Sequence, residues 1–101
     1  MYRIVWQYEV RSERLAEFEQ VYGLDGDWVQ FFRSSPDYVG TELFRSTSDT
    51  LQFITVDSWR SRPAYEGFRK THSERYSKLD EWCNQFTAHE RTLGMSDDGK
   101  D

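Results

Sequence analysis

The spacing of apolar residues switches repeatedly between a period of two and a helical period, and the order of these switches constrains the fold more than any single motif. Residues 2–10 alternate with period two and are rich in aromatic and β-branched side chains, which predicts a strand. Residues 38–47 and 51–59 alternate in the same way, and Ser48-Asp49-Thr50 between them favours a turn. A short final strand is predicted over residues 87–93.

Helical spacing occupies the segments between these strands. Ser12 is the predicted N-cap of a first helix, and Asp27 that of a second, short one. Ser61 is predicted to cap the longest helix, which continues to about residue 83, with Pro63 tolerated in its first turn. The order strand, broken helix, strand, strand, helix, strand predicts an α+β, ferredoxin-like βαββαβ fold, with a four-stranded antiparallel sheet and the helices on one face.

Both faces of the predicted sheet carry apolar side chains, although the helices can cover only one of them. One set of apolar residues comprises Ile4, Trp6, Tyr8, Leu43 and Phe53, and the opposite set comprises Val5, Phe44, Ile54 and Val56. A monomer would expose the second set as a patch large enough to act as an interface. We therefore predict a homodimer through the open sheet face, with isolated surface apolar residues of no consequence as the alternative.

Length and charge restrict the class of protein further. The chain of 101 residues fits one domain, predicted over residues 1–94, followed by a flexible acidic tail over residues 95–101. A net charge of −5 argues against nucleic acid or anionic lipid as a partner. No segment is apolar enough to span a membrane or to act as a signal peptide, and Cys83 is the lone cysteine. These features predict a cytoplasmic protein without an internal disulfide.

Aromatic residues outnumber branched aliphatic ones. The chain has 17 Phe, Tyr and Trp residues but only 14 Ile, Leu and Val residues. The rings either form an ordinary core or enclose a cavity for a flat, partly polar organic molecule, because small-molecule pockets are lined by such side chains. The residues expected to converge between helices and sheet are Trp28, Phe32, Trp59, Tyr65 and Phe68.

Few residues are candidates for chemistry. Helical spacing places His72 on the apolar face of the longest helix, where it is either a proton acceptor or a structural ring held by one hydrogen bond. Asp57 is a candidate polar group, although an aspartate at a strand end commonly serves a turn or a helix cap. No metal site is predicted, because His, Cys, Asp and Glu do not form a close-spaced ligand cluster.

Several segments together resemble the antibiotic biosynthesis monooxygenase (ABM) family. They are Glu17-Phe18-Glu19, Tyr22-Gly23, Gly26-Asp27-Trp28, Tyr38-Val39-Gly40-Thr41-Glu42-Leu43, Asp57-Ser58-Trp59-Arg60-Ser61 and Ala64-Tyr65-Glu66-Gly67-Phe68, followed by Tyr76, Leu79-Asp80, Cys83, Thr87 and Glu90. The resemblance extends from residue 2 to about residue 94 and implies ferredoxin-like protomers that pair into a dimeric α+β barrel.

The resemblance also implies an activity. The best-known members of the family oxidise polycyclic phenols to quinones with molecular oxygen, without a metal, flavin or haem. By analogy the chain is expected to be a cofactor-independent monooxygenase of a small aromatic metabolite of the polyphenol or quinol type. The expected catalytic residues are His72 as proton acceptor and Trp59 or Tyr65 as hydrogen-bond donor, and the expected substrate-binding residues are Trp28, Phe32, Phe68 and Tyr76.

Two other functions remain open for this fold. One is a non-catalytic dimeric module that binds a small ligand or regulates through it. The other is haem degradation, for which related proteins use an Asn in the first strand and a Trp and an axial His on the long helix. In this chain Gln7, Phe68 and Lys78 fall near those positions.

Overall fold

The computed structural model describes residues 1–98 and has the predicted order of elements. The elements are β1 (Tyr2–Val10), a 3-10 turn (Ser12–Arg14), α1 (Leu15–Tyr22), α2 (Asp27–Phe32), β2 (Tyr38–Arg45), β3 (Gln52–Trp59), α3 (Arg62–Thr71), α4 (Ser73–Cys83) and β4 (Thr87–Asp97). The four strands form one antiparallel sheet in the order β2-β3-β1-β4. The α+β ferredoxin-like fold is therefore confirmed.

Strands β2 and β3 keep to within two residues of their predicted bounds, and the ends of other elements differ in three places. Ser12 does not cap a helix, because its hydroxyl donates to Glu13 instead. Asp27 is the first residue of α2 rather than its cap. Strand β4 continues to Asp97, because it pairs with β1 along that strand's whole length, so part of the predicted tail is strand. The remainder of that predicted tail, residues 99–101, lies outside the described residues.

The predicted longest helix is interrupted at His72. Its backbone leaves helical geometry, with φ −112° and ψ 29°, and α4 begins at the next residue. Thr71 and Ser73 on either side are weak helix formers, which makes this a favourable place for an interruption. The predicted cap at Ser61 is confirmed, since its hydroxyl accepts a hydrogen bond from the Ala64 amide at 3.2 Å.

The two predicted sets of strand residues lie on opposite faces of the sheet. Residues on the helix-covered face are buried, and they include Tyr2, Ile4, Tyr8, Val10, Phe53, Thr55 and Trp59. On the open face the register pairs Val5 with Val56 and Phe44 with Ile54. These four side chains remain partly or largely exposed, so the chain presents an apolar surface to solvent.

Aromatic rings fill most of the space between sheet and helices. Phe18 of α1 stacks on Tyr22, with ring centroids 4.3 Å apart, and Phe32 of α2 packs edge-on against Trp59 at 5.4 Å. A close turn between α1 and α2 depends on Gly26, where a Cβ atom would lie only 2.2 Å from the Val21 carbonyl oxygen. This turn sets α2 over the sheet. No helix within residues 1–98 is long and apolar enough to cross a membrane.

Candidate functional site

A cavity lies between the helix-covered face of the sheet and helices α1, α2 and α4. It is lined by Trp6, Tyr8, Tyr22, Trp28, Val29, Phe32, Thr41, Thr55, Asp57, Tyr76, Asp80 and Glu90. The space free of atoms is about 450 Å³ including open solvent at its mouth, but the centre of a water molecule can occupy only about 30 Å³ of it. The closed part therefore has room for one or two water molecules, and a larger ligand must also fill the mouth.

Asp57 is the carboxyl group on the floor of this cavity. Pairing of β2 with β3 places Thr41 directly opposite Asp57, and the Thr41 hydroxyl donates to Asp57 Oδ1 at 2.7 Å. Since the Thr41 proton is used in this bond, the Tyr38 hydroxyl acts as the donor in its own hydrogen bond with Thr41. Tyr38, Thr41 and Asp57 thus form a chain of hydrogen bonds that ends at the carboxylate.

Burial of Asp57 destabilises its charged form relative to that of a solvent-exposed carboxyl group. Burial raises the pKa of Asp57 from 3.8 to about 6, and the hydrogen bond from Thr41 offsets part of that rise. Within residues 1–98 no Lys, Arg or His forms an ion pair with this carboxylate. A carboxyl group with a pKa of about 6 can accept a proton from a substrate near neutral pH.

A second polar pair completes the floor. The hydroxyls of Tyr8 on β1 and Thr55 on β3 are 3.2 Å apart and hydrogen-bonded. Burial raises the pKa of Tyr8 well above its usual value, so this phenol is neutral at physiological pH. The pair supplies fixed hydroxyl dipoles without adding charge to the cavity.

Aromatic rings form the walls and the roof of the cavity. Trp28 of α2 packs edge-on against Tyr76 of α4, with ring centroids 5.0 Å apart, and Phe32 packs beside Trp28 at 5.6 Å. The Arg69 guanidinium covers Tyr76 at 3.7 Å from the ring centroid and donates to the Tyr65 hydroxyl at 2.9 Å. Arg69 contacts the Tyr76 ring and does not itself line the cavity.

Two further carboxyl groups line the cavity, Asp80 on α4 and Glu90 on β4. Glu90 lies opposite Tyr8 across the β1–β4 pairing, which directs it to the helix-covered side of the sheet. Partial burial raises the pKa of Glu90, and the nearby Asp80 carboxylate raises it further. The cavity is therefore aromatic in its walls and acidic in its polar groups.

Three of the seven residues predicted for the site line the cavity: Trp28, Phe32 and Tyr76. Trp59 and Phe68 are buried in the aromatic core beneath α3, and their ring centroids are 5.0 Å apart. The Tyr65 side chain instead lines a separate surface cleft. The roles predicted for Trp59, Phe68 and Tyr65 stay predictions, and their side chains do not border this cavity.

His72 lies at the break between α3 and α4, half-buried against the rings of Phe68 and Phe31 at centroid distances of 4.7 Å and 6.1 Å. It borders a shallow surface depression on the outer side of these helices, together with Arg75 and Lys78. Its role as proton acceptor stays a prediction, and its ring does not line the cavity described above.

Sequence reasoning recognised Asp57 as a polar candidate but did not place it in the site, and it missed Thr41, Thr55, Asp80 and Glu90. A signal for Asp57 was present, because period-two spacing puts it on the same face as Phe53, Thr55 and Trp59. A carboxyl group among residues that face the core lowers the stability of the fold unless it is paired, so an unpaired one indicates a functional role.

Among the described residues, those that line the cavity do not form a ligand set for a metal ion or for haem. Within the part of the chain that the structure describes, no group of three or more His, Cys, Asp or Glu is placed to hold a metal ion. Neither His72 nor His89 lines the cavity, so no imidazole is available there as an axial haem ligand. Gln7, the first-strand residue considered for haem degradation, pairs with Ile54 on the open face.

Comparison with known proteins identifies a family from the sequence and similar folds among solved structures. The protein-family model described as antibiotic biosynthesis monooxygenase matches residues 1–92. Among solved structures, the fold is similar to SnoaB, a cofactor-independent oxygenase from Streptomyces nogalater, with a TM-score of 0.77, 16% identity, and coverage of 99% of this chain and 94% of that chain. A conserved protein from Methanosarcina mazei Go1 is similar with a TM-score of 0.74, 9% identity, and coverage of 95% and 90%. No curated protein sequence matches the chain.

Proposed function

The chain belongs to the antibiotic biosynthesis monooxygenase family, and from this premise we propose that it is a cofactor-independent monooxygenase that oxidises a small aromatic metabolite with molecular oxygen. The observation that carries the proposal is Asp57, a carboxyl group with a pKa of about 6 on the floor of an aromatic-walled cavity. The printed description of SnoaB as a cofactor-independent oxygenase supports the reaction class by analogy.

The proposed reaction uses the substrate as its own reductant. The Asp57 carboxylate takes a proton from a phenol or an activated CH₂ group of the substrate, and the resulting electron-rich anion donates electrons to O₂. One oxygen atom is retained as a quinone carbonyl, and the other leaves as water with two hydrogens from the substrate. Both come from the carbon of an activated CH₂ group, whereas a phenol loses one from the oxidised ring carbon and one from its O–H. All electrons come from the substrate, so the step needs no metal, flavin or other reductant.

The remaining lining residues have supporting roles in this proposal. Trp28, Phe32 and Tyr76 hold the flat ring and exclude water, which strengthens electrostatic interactions during the reaction. Thr41 holds the Asp57 carboxylate in place through its hydrogen bond. In this proposal the reacting atoms lie inside the cavity, which His72, Trp59 and Tyr65 do not line, and the roles predicted for these three residues stay predictions.

Oxygen consumption as a function of pH tests the proposal. With a panel of anthrone-like and dihydroxynaphthalene-like compounds and no added metal, we expect O₂ uptake above the buffer blank for at least one compound. Its rate should rise about tenfold per pH unit up to about pH 6 and then level off, because only ionised Asp57 accepts the proton. The tyrosines Tyr8, Tyr38 and Tyr76 have raised pKa values and stay neutral over this range. Burial also raises the pKa of Glu90, which lines the same cavity, so Glu90→Gln should leave the pH profile unchanged when Asp57 is the base.

The outcome separates this function from the alternatives. Binding of the same compounds without O₂ uptake would favour the non-catalytic ligand-binding module. A rate that falls as pH rises through 6 would contradict a role for Asp57 as base. Haem titration provides a further control, and a Soret shift that is lost in His72→Ala would support haem binding at the outer surface rather than in the cavity.

We also propose that two chains pair through the open face of the sheet. The apolar residues there, Val5, Ile54, Val56 and Phe44, form a contiguous patch on neighbouring strands. Phe44 is 50% exposed in the single chain, and burial of such a patch by a two-fold copy is a common way to stabilise a homodimer. The cavity lies on the other face of the same sheet, so each protomer would keep a complete site.

A charge placed on the open face is expected to abolish pairing. Val56→Glu puts a carboxylate at the centre of this patch, where a partner sheet would bury it without a counter-charge. Light scattering after size exclusion should give the mass of two chains for the wild type and of one chain for the variant. Thr50→Glu in the exposed β2–β3 turn is the matched control and should leave the mass unchanged. A wild type with the mass of one chain at micromolar concentration would contradict the dimer.

A further inference from the structure

We propose that the cavity selects aromatic ligands that carry a protonated amine. The inference rests on the proposed binding role of the cavity and names the substrate class for it, a hydroxylated aromatic amine. It concerns binding and does not depend on whether oxygen is consumed.

The charged groups that line the cavity are all negative. Its lining includes three carboxyl groups from three different elements, Asp57 on β3, Asp80 on α4 and Glu90 on β4, and it includes no Lys, Arg or His. None of the three carboxylates has an ion-pair partner within residues 1–98. A ligand ammonium group would supply the counter-charge that the chain does not provide.

One protein cation, Arg69, interacts electrostatically with Asp80 but does not line the cavity. Its guanidinium is held by the Tyr76 ring and by the Tyr65 hydroxyl. It therefore cannot move into the cavity without losing both contacts. The mouth near Asp80 and Glu90 stays available to a cation from solution.

The aromatic walls favour a cation independently of the carboxyl groups. Trp6, Trp28 and Tyr76 surround the same space as the carboxylates, and aromatic faces attract cations through their quadrupoles. A combination of rings and carboxylates is the composition that binds organic ammonium ions, whereas an anionic ligand would meet three like charges. A divalent metal ion is a poorer candidate, since no three-ligand group exists within the described residues.

The proposed reaction places the hydroxyl group of this ligand beside Asp57, on the floor of the cavity. The buried Trp28 indole N–H faces the Cys83 thiol, which does not line the cavity, so Trp28 contributes its ring to the site and not a hydrogen-bond donor. In the proposed reaction, the phenolate formed beside Asp57 would be balanced by the ammonium at the mouth.

Anaerobic calorimetry with three probes of the same ring and different charge tests the inference. The probes are 1-naphthylmethylammonium, 1-naphthylmethanol and 1-naphthoate at pH 7.5. We expect the ammonium probe to bind about tenfold more tightly than the alcohol, and the carboxylate to bind more weakly than either. Equal affinities, tightest binding of naphthoate or no binding of any probe would overturn the proposal.

Removing the charge of the two carboxyl groups at the mouth of the cavity tests whether they cause the selectivity. In the double variant Asp80→Asn with Glu90→Gln, the preference for ammonium over alcohol should fall to about twofold or less while the alcohol affinity is retained. Glu81→Gln, an exposed acid on the same helix outside the cavity, is the matched control and should keep the preference. A preference unchanged in the double variant would overturn the assignment. Because no oxygen is present, failure of the oxygenase assay with intact ammonium selectivity would refute the reaction and not this inference.

Discussion

Asp57→Asn is expected to lower the maximal rate of oxygen uptake about 100-fold or more at pH 8, since a positioned general base typically contributes this much to a rate. The asparagine side chain keeps nearly the same volume and can still accept the hydrogen bond from Thr41. Ligand affinity for a neutral aromatic should therefore change little. Steady-state O₂ uptake and calorimetry measure the two effects separately.

Asp25→Asn is the control for this variant, because Asp25 is exposed in the turn between α1 and α2 and lies outside the cavity. It should retain the wild-type rate. A rate for Asp57→Asn within about threefold of the wild type would show that another group takes the proton. His72→Ala should then be compared, since His72 is the acceptor suggested by the sequence.

The same Asp57→Asn variant is expected to be more stable than the wild type at pH 8. The pKa of Asp57 is about 6 in the folded protein and close to 3.8 in the unfolded chain, so the folded state binds more protons between these values. The free energy of unfolding therefore falls as pH rises from about 3 to 7, by about 3 kcal/mol in total for a pKa difference of this size.

Urea unfolding at pH 4 and pH 8 measures this effect. The advantage of Asp57→Asn over the wild type should be about 2–3 kcal/mol at pH 8 and small at pH 4. A residue that serves structure alone would lose stability when changed. A less stable Asp57→Asn protein at pH 8 would therefore contradict the assignment of this carboxylate as a functional group held at a cost in stability.

Trp59→Ala is expected to cost about 3–5 kcal/mol of unfolding free energy, the range for removal of a large buried ring. The Trp59 side chain is fully buried and packs against Phe32, Tyr38, Tyr65 and Phe68. A loss of this size is a large part of the stability of a small domain. Urea unfolding should show it directly as a lower midpoint.

Two comparisons separate this structural role from the catalytic role predicted for Trp59. Trp82→Ala removes a ring that is 47% exposed and should cost about 1 kcal/mol or less. Trp59→Phe restores most of the buried ring and should retain both folding and oxygen uptake, since Trp59 does not line the cavity. A folded Trp59→Phe protein without activity would instead support the predicted role as hydrogen-bond donor.

The period-two spacing of apolar residues predicted most of the fold, because each strand must present one face to the core. The alternation over residues 2–10 predicts the buried positions Ile4 and Tyr8 correctly, and the same argument assigns Val56 to the open face. The break at His72 was harder to predict, since apolar residues continue at helical spacing on both sides of it. Weak helix formers lower the cost of an interruption there but do not require one.

The site was less predictable than the fold, because it depends on contacts between residues distant in sequence. Trp6, Asp57 and Glu90 come from three strands, and only the order of those strands in the sheet brings them around one space. Helical spacing assigned His72 to an apolar face, and its ring does contact Phe68. The spacing could not show that the empty space lies on the far side of these core rings.

The alternation in β1 and β3 has a practical consequence for engineering this chain. Val56 and Asp57 are consecutive residues whose side chains lie on opposite faces of the sheet, and the same is true of Val5 and Trp6. A combinatorial library confined to the cavity-lining positions Trp6, Tyr8 and Thr55 would therefore reshape substrate preference and leave the open face unchanged. A second library confined to the open-face positions Val5, Ile54 and Val56 would alter how chains associate. The two properties can therefore be evolved in parallel and recombined afterwards.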